Sequence, residues 1–153
     1  MARRRSLLLA GIAGFVAAAC TLLSPPDPRL CSAAQNVSQA MALADTAIAA
    51  DEQGDLARAQ GLATQSRTLG ELAHATLQQM PDAEQAKPGW QALLGAYAHV
   101  GQAANSLLPA YSGSHGTGRE QYEIASRFMA DARAALPAMC FELPADIETP
   151  RPT

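Results

Sequence analysis

Hydrophobic residues recur at helical spacing along most of the chain. Val37, Met41, Ala44 and Ile48, for example, are separated by four, three and four residues, which places them on one face of an α-helix. Such patterns, with the prolines and glycines that interrupt them, predict four helices: about 33–52, about 56–80, Pro88 to near Pro109, and Thr117 to Pro137. The sequence therefore predicts an all-α protein.

The predicted second helix carries the longest periodic pattern. Its small and apolar residues alternate between spacings of three and four, as at the seam of a helical bundle: Ala59, Leu62, Ser66, Leu69, Ala73, Thr76 and Met80. Gly61 and Gly70 lie inside this helix, where a glycine costs up to ~1 kcal/mol relative to alanine. We expect both glycines to allow the close approach of a neighbouring helix.

The predicted third and fourth helices each have one apolar face. On the third helix this face contains Trp90, Leu94, Tyr97, Val100, Gly101, Ala104 and Leu108. On the fourth helix it contains Ala125, Phe128, Met129, Ala132, Ala135 and Leu136. We expect these faces to meet in one core.

Capping patterns predict where two of the helices begin. Ser32 with Gln35, and Thr117 with Glu120, have the spacing of a capping box, in which each side chain binds a backbone N–H of the other residue. The first pair is expected to start the first helix, and the second pair the fourth.

Short connections predict how the helices are arranged. Gly54 is expected to end the first helix and Asp55 to cap the second, while Pro88 suits the first turn of the third. Tight links make neighbouring helices antiparallel. The prediction is an up-down-up-down four-helix bundle over residues 31–143.

Three other segments have loop or linker composition. Residues 21–30 contain three prolines and are expected to form a tether, and residues 144–153 also contain three and are expected to be a disordered tail. Residues 112–118 contain three glycines and no apolar side chain, which predicts a surface loop. A phosphate site at the start of the fourth helix is the alternative for this loop.

The N-terminal segment has the pattern of an export signal. Arg3, Arg4 and Arg5 precede a stretch, 6–23, that contains no charged residue. The arginines are expected to stay on the cytoplasmic side, which sends the rest of the chain across the membrane. We therefore predict a signal segment at 1–20 and a protein that works outside the cytoplasm.

The end of this segment, Ala17-Ala18-Ala19-Cys20, resembles the lipobox of bacterial lipoproteins. The resemblance implies cleavage before Cys20 and attachment of lipid to its sulfur. Small residues at positions 17 and 19 also suit ordinary signal cleavage. The apolar run is, in addition, long enough to stay in the membrane as an anchor.

The number of cysteines favours the lipoprotein interpretation. The chain has three cysteines, so one thiol is left over if the other two form a disulfide outside the cytoplasm. Lipid on Cys20 would leave Cys31 and Cys140 as the pair. These two flank the predicted helices, and an even number of antiparallel helices brings them to the same end of the bundle. We therefore predict a Cys31–Cys140 disulfide.

Charge and metal-binding patterns exclude two classes of function. The net charge is −3, and about −6 once the three N-terminal arginines are removed, which makes nucleic acid an unfavourable partner. Glu71-x-x-His74 resembles the carboxylate–imidazole pair of ferritin-like di-iron bundles, but no second copy exists in the sequence. Glu71 also lies opposite Leu69 on the helix and is expected to face water. We predict neither a metal nor another cofactor.

Aromatic residues in the second half of the chain suggest an apolar ligand site. Five of them are candidates for one wall of the bundle: Trp90, Tyr97, Tyr111, Tyr122 and Phe128. Such a wall can hold haem, a quinone or a lipid-like molecule, although aromatic stripes also form ordinary core.

These patterns predict a non-catalytic protein of the cell envelope, since the sequence offers no recognisable set of catalytic residues. We expect an exported, lipid-anchored bundle that contacts the membrane through its N-terminal anchor and binds an unknown envelope protein through a helix face. The alternative is a carrier or sensor of a small apolar ligand. Exported helical chorismate mutases share this size, but they need converging cations, and residues 33–52 contain no Lys or Arg.

Overall fold

The computed structural model describes residues 26–111 and 117–142, and these residues are helical, without any strand. Their α-helices are α1 (Pro28–Glu52), α2 (Leu56–Gln78), α3 (Asp82–Gln85), α4 (Pro88–Asn105) and α5 (Gly118–Ala135). Two 3-10 turns follow α4 and α5, at Pro109–Tyr111 and Ala138–Phe141. The prediction of an all-α protein is confirmed. The signal segment, the first half of the tether, most of the 112–118 loop and the predicted tail lie outside the described residues.

Helix α1 begins earlier than the sequence pattern predicted. Asp27 is its N-cap and accepts a hydrogen bond of 2.9 Å from the backbone N–H of Arg29, and Pro28 occupies the first helical position. The predicted start at Ser32 and Gln35 is wrong, because Asp27 caps the helix five residues earlier. Residues 28–30 are therefore helical and do not belong to the predicted 21–30 tether. Gln35 donates instead to the carbonyl of Glu142, at 3.0 Å.

Replacing Asp27 with alanine is expected to destabilise the protein in a pH-dependent way. Hydrogen bonds from the Arg29 side chain, and then from its backbone N–H, hold the pKa of Asp27 below its ordinary value. A carboxylate with a lowered folded-state pKa stabilises the fold above the ordinary carboxyl pKa of ~3.9, and this contribution is lost as pH falls through the folded-state value. Thermal unfolding of Asp27→Ala should show a lower midpoint at pH 7 and a smaller difference from wild type at pH 3.

Ser32→Ala is the matched control, since Ser32 would be the cap in the alternative start of α1. It should leave the midpoint close to that of wild type at both pH values. A larger loss for Ser32→Ala than for Asp27→Ala would contradict the assignment of the cap.

The turn between α1 and α2 agrees with the sequence. Gly54 has a φ of 81°, in the left-handed region where glycine is favoured, and it ends α1. Asp55 caps α2 by accepting a hydrogen bond of 3.2 Å from the backbone N–H of Arg58. The link is therefore short, and α2 turns back along α1.

The buried face of α2 differs from the predicted seam. Its buried residues are Ala59, Ala63, Ser66, Gly70, Ala73 and Leu77. Leu62, Leu69 and Thr76 were predicted to point inward but are only partly buried. Because α2 contacts both α1 and α4, its buried surface is wider than the seam between two helices. Of the two internal glycines, Gly70 contacts α4 through Tyr97, whereas a Cβ built on Gly61 has no neighbour within 4 Å among the residues that the structure describes.

Between α2 and α4 lies the short helix α3, which the sequence pattern did not predict. Four residues are too few to show a hydrophobic period, and none of them is buried. Pro81 precedes the helix, and Asp82 and Glu84 stand in its first turn, where negative charge is favourable.

Helices α4 and α5 match their predicted starts. Pro88 is the first residue of α4, and the Thr117 hydroxyl accepts a hydrogen bond of 3.2 Å from the backbone N–H of Glu120 at the start of α5. Helix α4 ends at Asn105, before the predicted limit near Pro109. On α5, Ala135 is exposed rather than part of the apolar face, because the helix ends there.

Contacts between the long helices show that sequential neighbours run antiparallel. The hydroxyl of Ser66 on α2 donates to the carbonyl of Ala40 near the middle of α1, at 2.7 Å. Near the end of α2, the carbonyl of Leu77 accepts a hydrogen bond of 3.0 Å from the indole N–H of Trp90 at the start of α4. A Cβ at Gly95 of α4 would lie 2.5 Å from the ring of Phe128 of α5, so glycine allows these helices to approach.

The first and last long helices are also joined. The guanidinium of Arg119 at the start of α5 lies 2.9 Å from the carboxylate of Asp45 and 3.1 Å from that of Glu52, near the end of α1. The enclosed core is rich in alanine, and its largest fully buried apolar side chains include Leu77, Leu93, Val37 and Val100.

Candidate functional site: the disulfide end and a cleft between α2 and α4

Cys31 and Cys140 form a disulfide, with an S–S distance of 1.99 Å. Cys31 lies in the first turn of α1, and Cys140 lies in the 3-10 turn after α5, where it is fully buried. The predicted pairing is therefore confirmed. It closes the four long helices into one covalent loop, and we call this part of the molecule the disulfide end.

A groove of about 920 Å³ runs beside the disulfide. Its lining residues come from the start of α1 and from the turn after α5: Pro26, Asp27, Pro28, Arg29, Cys31, Ser32, Gln35 and Met139. Met139 is 64% exposed, so its apolar side chain is part of the open surface of the groove. Cys20, the predicted lipid-attachment residue, lies outside the described residues.

The aromatic residues on α4 face different surroundings. Trp90 is buried in the main core and its indole N–H is hydrogen-bonded to Leu77. Tyr97 faces α2, where its ring stacks on that of His74 with centroids 4.5 Å apart. Trp90 is thus a core residue, whereas Tyr97 lies at an interface that opens to solvent.

The aromatic residues on α5 lie on another side of α4. Phe128 covers Gly95, and its ring stacks on that of His99 with centroids 5.5 Å apart. Tyr122 is partly buried, and this burial raises the pKa of its phenol. The side chain of Tyr111 lies outside the described part of the structure. Tyr97 and Phe128 therefore pack against different helices, and an apolar ligand on an aromatic wall stays a prediction.

A smaller pocket, which we call the α2–α4 cleft, has a volume of about 170 Å³. Helix α2 contributes Ser66, Arg67, Gly70 and Glu71, and helix α4 contributes Tyr97, Val100, Gly101 and Asn105. The hydroxyl of Ser66 is directed to the carbonyl of Ala40 on α1. The remaining polar groups of the cleft are Arg67, Glu71, the Tyr97 hydroxyl and Asn105.

The electrostatics of the α2–α4 cleft are nearly balanced. Arg67 and Glu71 form an ion pair one turn apart on α2, with 2.7 Å between a guanidinium nitrogen and a carboxylate oxygen. On the opposite wall, the side-chain oxygen of Asn105 is buried and has no hydrogen-bond partner among the described residues. An unpaired buried acceptor costs about 1–3 kcal/mol, so this oxygen lowers the stability of the fold.

The sequence patterns named six of the eight residues that line this cleft, but for other roles. Tyr97 was predicted to belong to an aromatic wall that holds an apolar ligand. Gly101 was predicted to lie on the apolar face of its helix, without a specific role. Asn105 was not selected, because a single asparagine near the end of a helix has no distinguishing pattern. The unpaired oxygen is visible only when α2 and α4 are placed side by side.

Glu71 and His74, the pair that resembles a di-iron ligand set, contact different side chains in the structure. Glu71 is exposed and ion-paired with Arg67, as its predicted orientation toward water required. His74 contacts Tyr97 and Gln78. Within residues 26–111 and 117–142, no cluster of three or more His, Cys, Asp or Glu side chains is arranged to hold a metal ion.

Among the helices within residues 26–111 and 117–142, none is long and apolar enough to cross a bilayer.

Comparisons with known protein families, with curated proteins and with solved structures found no match to this chain.

Proposed function

We propose that this protein is an exported, lipid-anchored four-helix bundle of the bacterial cell envelope, with a non-catalytic binding role. The observation that carries the proposal is the Cys31–Cys140 disulfide. Structural disulfides form and persist in oxidising compartments such as the periplasm or the cell surface, and they are rare in the cytosol. An export signal at residues 1–20 would account for such a location.

The disulfide also supports lipid on Cys20. It uses two of the three cysteines, and the remaining one directly follows Ala17-Ala18-Ala19. A free thiol outside the cytoplasm is open to oxidation and to disulfide exchange. Thioether attachment of lipid removes that thiol, so one modification explains both the odd cysteine and the small residues before it.

A lipid on Cys20 would set the position of the bundle relative to the membrane. Seven residues, 21–27, separate Cys20 from the first residue of α1, and an extended chain of this length reaches at most ~25 Å. The disulfide end would therefore lie near the lipid surface. Helix α1 has 25 residues and is ~37 Å long, so the turn at Gly54 would be the part furthest from the membrane.

The outer face of α2 is the surface that we propose for an envelope partner. Leu72 is 55% exposed on this face, and a groove of about 330 Å³ lies beside it. Leu43 of α1 and four residues of α2 line the groove: Thr64, Gln65, Thr68 and Leu69. Apolar side chains with a polar rim are typical of a protein-binding patch.

The test of the anchor is the variant Cys20→Ser, produced in a bacterial host that processes lipoproteins. Wild-type protein should fractionate with membranes and incorporate radiolabelled palmitate, whereas Cys20→Ser should lose the label entirely. The reason is that serine has no sulfur for thioether formation. The double variant Cys31→Ser/Cys140→Ser is the matched control, because it removes two cysteines and should keep the label.

Two results would contradict the proposal. Wild-type protein that is soluble and carries no palmitate would indicate ordinary signal cleavage. Equal membrane association of wild type and Cys20→Ser, again without label, would indicate a retained N-terminal anchor.

A further inference from the structure

We infer that the partner of the outer face of α2 is a second copy of this chain, held in the same membrane. The inference deepens the proposed function and rests on it, because the orientation of the two copies depends on lipid at Cys20. The surface concerned, which we call the α1–α2 face, consists of the groove between the two helices and the exposed side chain beside it: Leu43, Thr64, Gln65, Thr68 and Leu72.

Charged side chains are kept away from the α1–α2 face. On α1, residues 30–44 contain no Asp, Glu, Lys or Arg. On α2, residues 59–78 contain one Arg and one Glu, Arg67 and Glu71, which pair with each other and line the α2–α4 cleft, on the side of α2 toward α4. The α1–α2 face is therefore an uncharged surface on an acidic protein.

An uncharged face on an acidic protein favours a second copy as the partner. In a symmetric pair, each residue near the two-fold axis lies against the same residue of the other copy. A charged side chain there would meet its own charge, and like charges across an interface are strongly unfavourable. The net charge of −3 makes two copies repel each other, and the α1–α2 face lets them meet without opposing like charges. A partner recognised by its charge would find no complementary charge on this face.

The threonine hydroxyls of the α1–α2 face are already satisfied. Thr64 donates to the carbonyl of Gln60 at 2.9 Å, and Thr68 donates to the carbonyl of Thr64 at 3.1 Å. Threonine in this arrangement makes its hydrogen bond within its own helix and does not need water as an acceptor. Another chain can therefore cover the face without leaving these donors unpaired.

The α1–α2 face also has a projecting side chain next to its groove. Leu72 is 55% exposed and stands four residues after Thr68, beside the groove of about 330 Å³. When two helices run parallel, such a side chain packs into the space between residues of the facing helix at nearly the same height. Leu72 of each copy then packs beside Thr68 and Leu72 of the other.

Lipid on Cys20 brings two copies into this parallel arrangement. The short segment between Cys20 and α1 keeps both disulfide ends near the membrane, so the two α2 helices stand side by side and run in the same direction. The two-fold axis is then perpendicular to the membrane. Attachment to one surface also raises the effective concentration of each copy for the other, so a weak contact is sufficient.

The α1–α2 face is large enough for such a contact. Helix α2 has 23 residues, and the two helices side by side give a surface of ~35 Å by ~20 Å, on the order of 700 Å² per copy. A standard protein interface covers ~800 Å² on each partner. Because few side chains of the face are large and apolar, we expect a weak pair, and the purified chain without lipid should be monomeric at about 1 µM.

The test is photocross-linking of the full-length chain in a bacterial host that processes lipoproteins. The photoreactive amino acid p-benzoylphenylalanine replaces Thr68 in one variant and Ala130, an exposed residue of α5, in the other. We expect irradiation of the first variant to give a product with twice the mass of the lipidated chain, and irradiation of the second to give little of it. A product of any other mass from position 68, no product, or equal dimer yields at the two positions overturns the inference.

Leu72→Glu and Leu72→Lys test the two-fold arrangement. Each variant alone places two like charges near the axis, so the dimer product from position 68 should fall about 10-fold or more. Producing the two variants together sets opposite charges against each other and should restore the product. Ala130→Glu is the matched control and should leave the yield unchanged.

The thermal unfolding midpoint shows that the Leu72 variants are folded. It should stay close to that of wild type, because Leu72 is largely exposed in the single chain. An unchanged dimer yield from either folded variant overturns the inference. Failure of the mixture to restore the yield overturns the parallel arrangement.

Palmitate labelling of the same samples separates this inference from the proposed function. A labelled protein that gives no dimer product overturns the inference and leaves the lipid anchor in place. An unlabelled protein overturns the anchor, and with it the shared orientation of the two copies.

Discussion

Replacing Cys31 and Cys140 together with alanine is expected to lower the free energy of unfolding by about 4 kcal/mol. The two residues are 109 positions apart, so the bond removes much of the conformational entropy of the unfolded chain. A disulfide that closes a loop of ~100 residues raises the free energy of unfolding by up to ~4.7 kcal/mol if the effect is purely one of chain entropy. Small domains have a total stability of about 5–15 kcal/mol, so the variant should lose a large part of its stability.

Urea denaturation followed by circular dichroism measures this effect. Both proteins should carry Cys20→Ser, so that neither lipid nor a third thiol affects the comparison. Adding a reductant to the disulfide-containing protein should produce a similar loss, and the double alanine variant should not respond to it. A loss below about 1 kcal/mol would show that the helices need no cross-link and would weaken the argument for an oxidising compartment.

Leu77→Ala is expected to lower the free energy of unfolding by about 3 kcal/mol, within the range of ~2–5 kcal/mol for large-to-small core changes. Leu77 is fully buried, with an exposed fraction of 0%, and its carbonyl accepts the indole N–H of Trp90. Truncation would leave a cavity where α2 meets α4. The same urea titration measures the loss.

Leu72→Ala is the matched control on the same helix. Its side chain is 55% exposed, so the loss should stay within about 0.5 kcal/mol. Thr76→Ala tests the rotation of α2, because the sequence pattern placed Thr76 inside and the structure places Leu77 there. A larger loss for Thr76→Ala than for Leu77→Ala would contradict the assignment of Leu77 to the buried face of α2.

The parts of the fold that could be predicted from sequence depend on local chemistry. Gly54 with Asp55 defines the turn between α1 and α2, Pro88 starts α4, and Thr117 caps α5. Asp55 and Thr117 accept free backbone N–H groups, Gly54 adopts a positive φ, and Pro88 stands where no N–H donor is needed. Each of these effects acts within one turn of helix. Such requirements are visible without knowledge of the neighbouring helices.

The errors arose where two local signals compete or where tertiary contacts decide. Asp27-Pro28 and Ser32 with Gln35 are both acceptable helix starts, and the earlier one forms because its cap is completed by Arg29. On α2 the burial of Gly70 depends on Tyr97 of another helix. A pattern within one helix cannot report that contact.

The two candidate sites also differ in whether the sequence could predict them. The Cys31–Cys140 pair could be predicted because helix number and chain direction together determine which ends meet. The α2–α4 cleft could not, since Arg67 and Asn105 are 38 positions apart and neither belongs to a motif. A cleft between two helices becomes visible only in three dimensions.

Intact mass spectrometry of the protein isolated from its native cells tests the central claim most directly, which is that the chain is exported, lipidated at Cys20 and oxidised at Cys31 and Cys140. The account predicts a chain that begins at Cys20 with acyl groups attached. Its mass should be two hydrogens lower than that of the reduced form. A chain that retains residues 1–19, is recovered from the cytosol and has three free thiols would contradict the account.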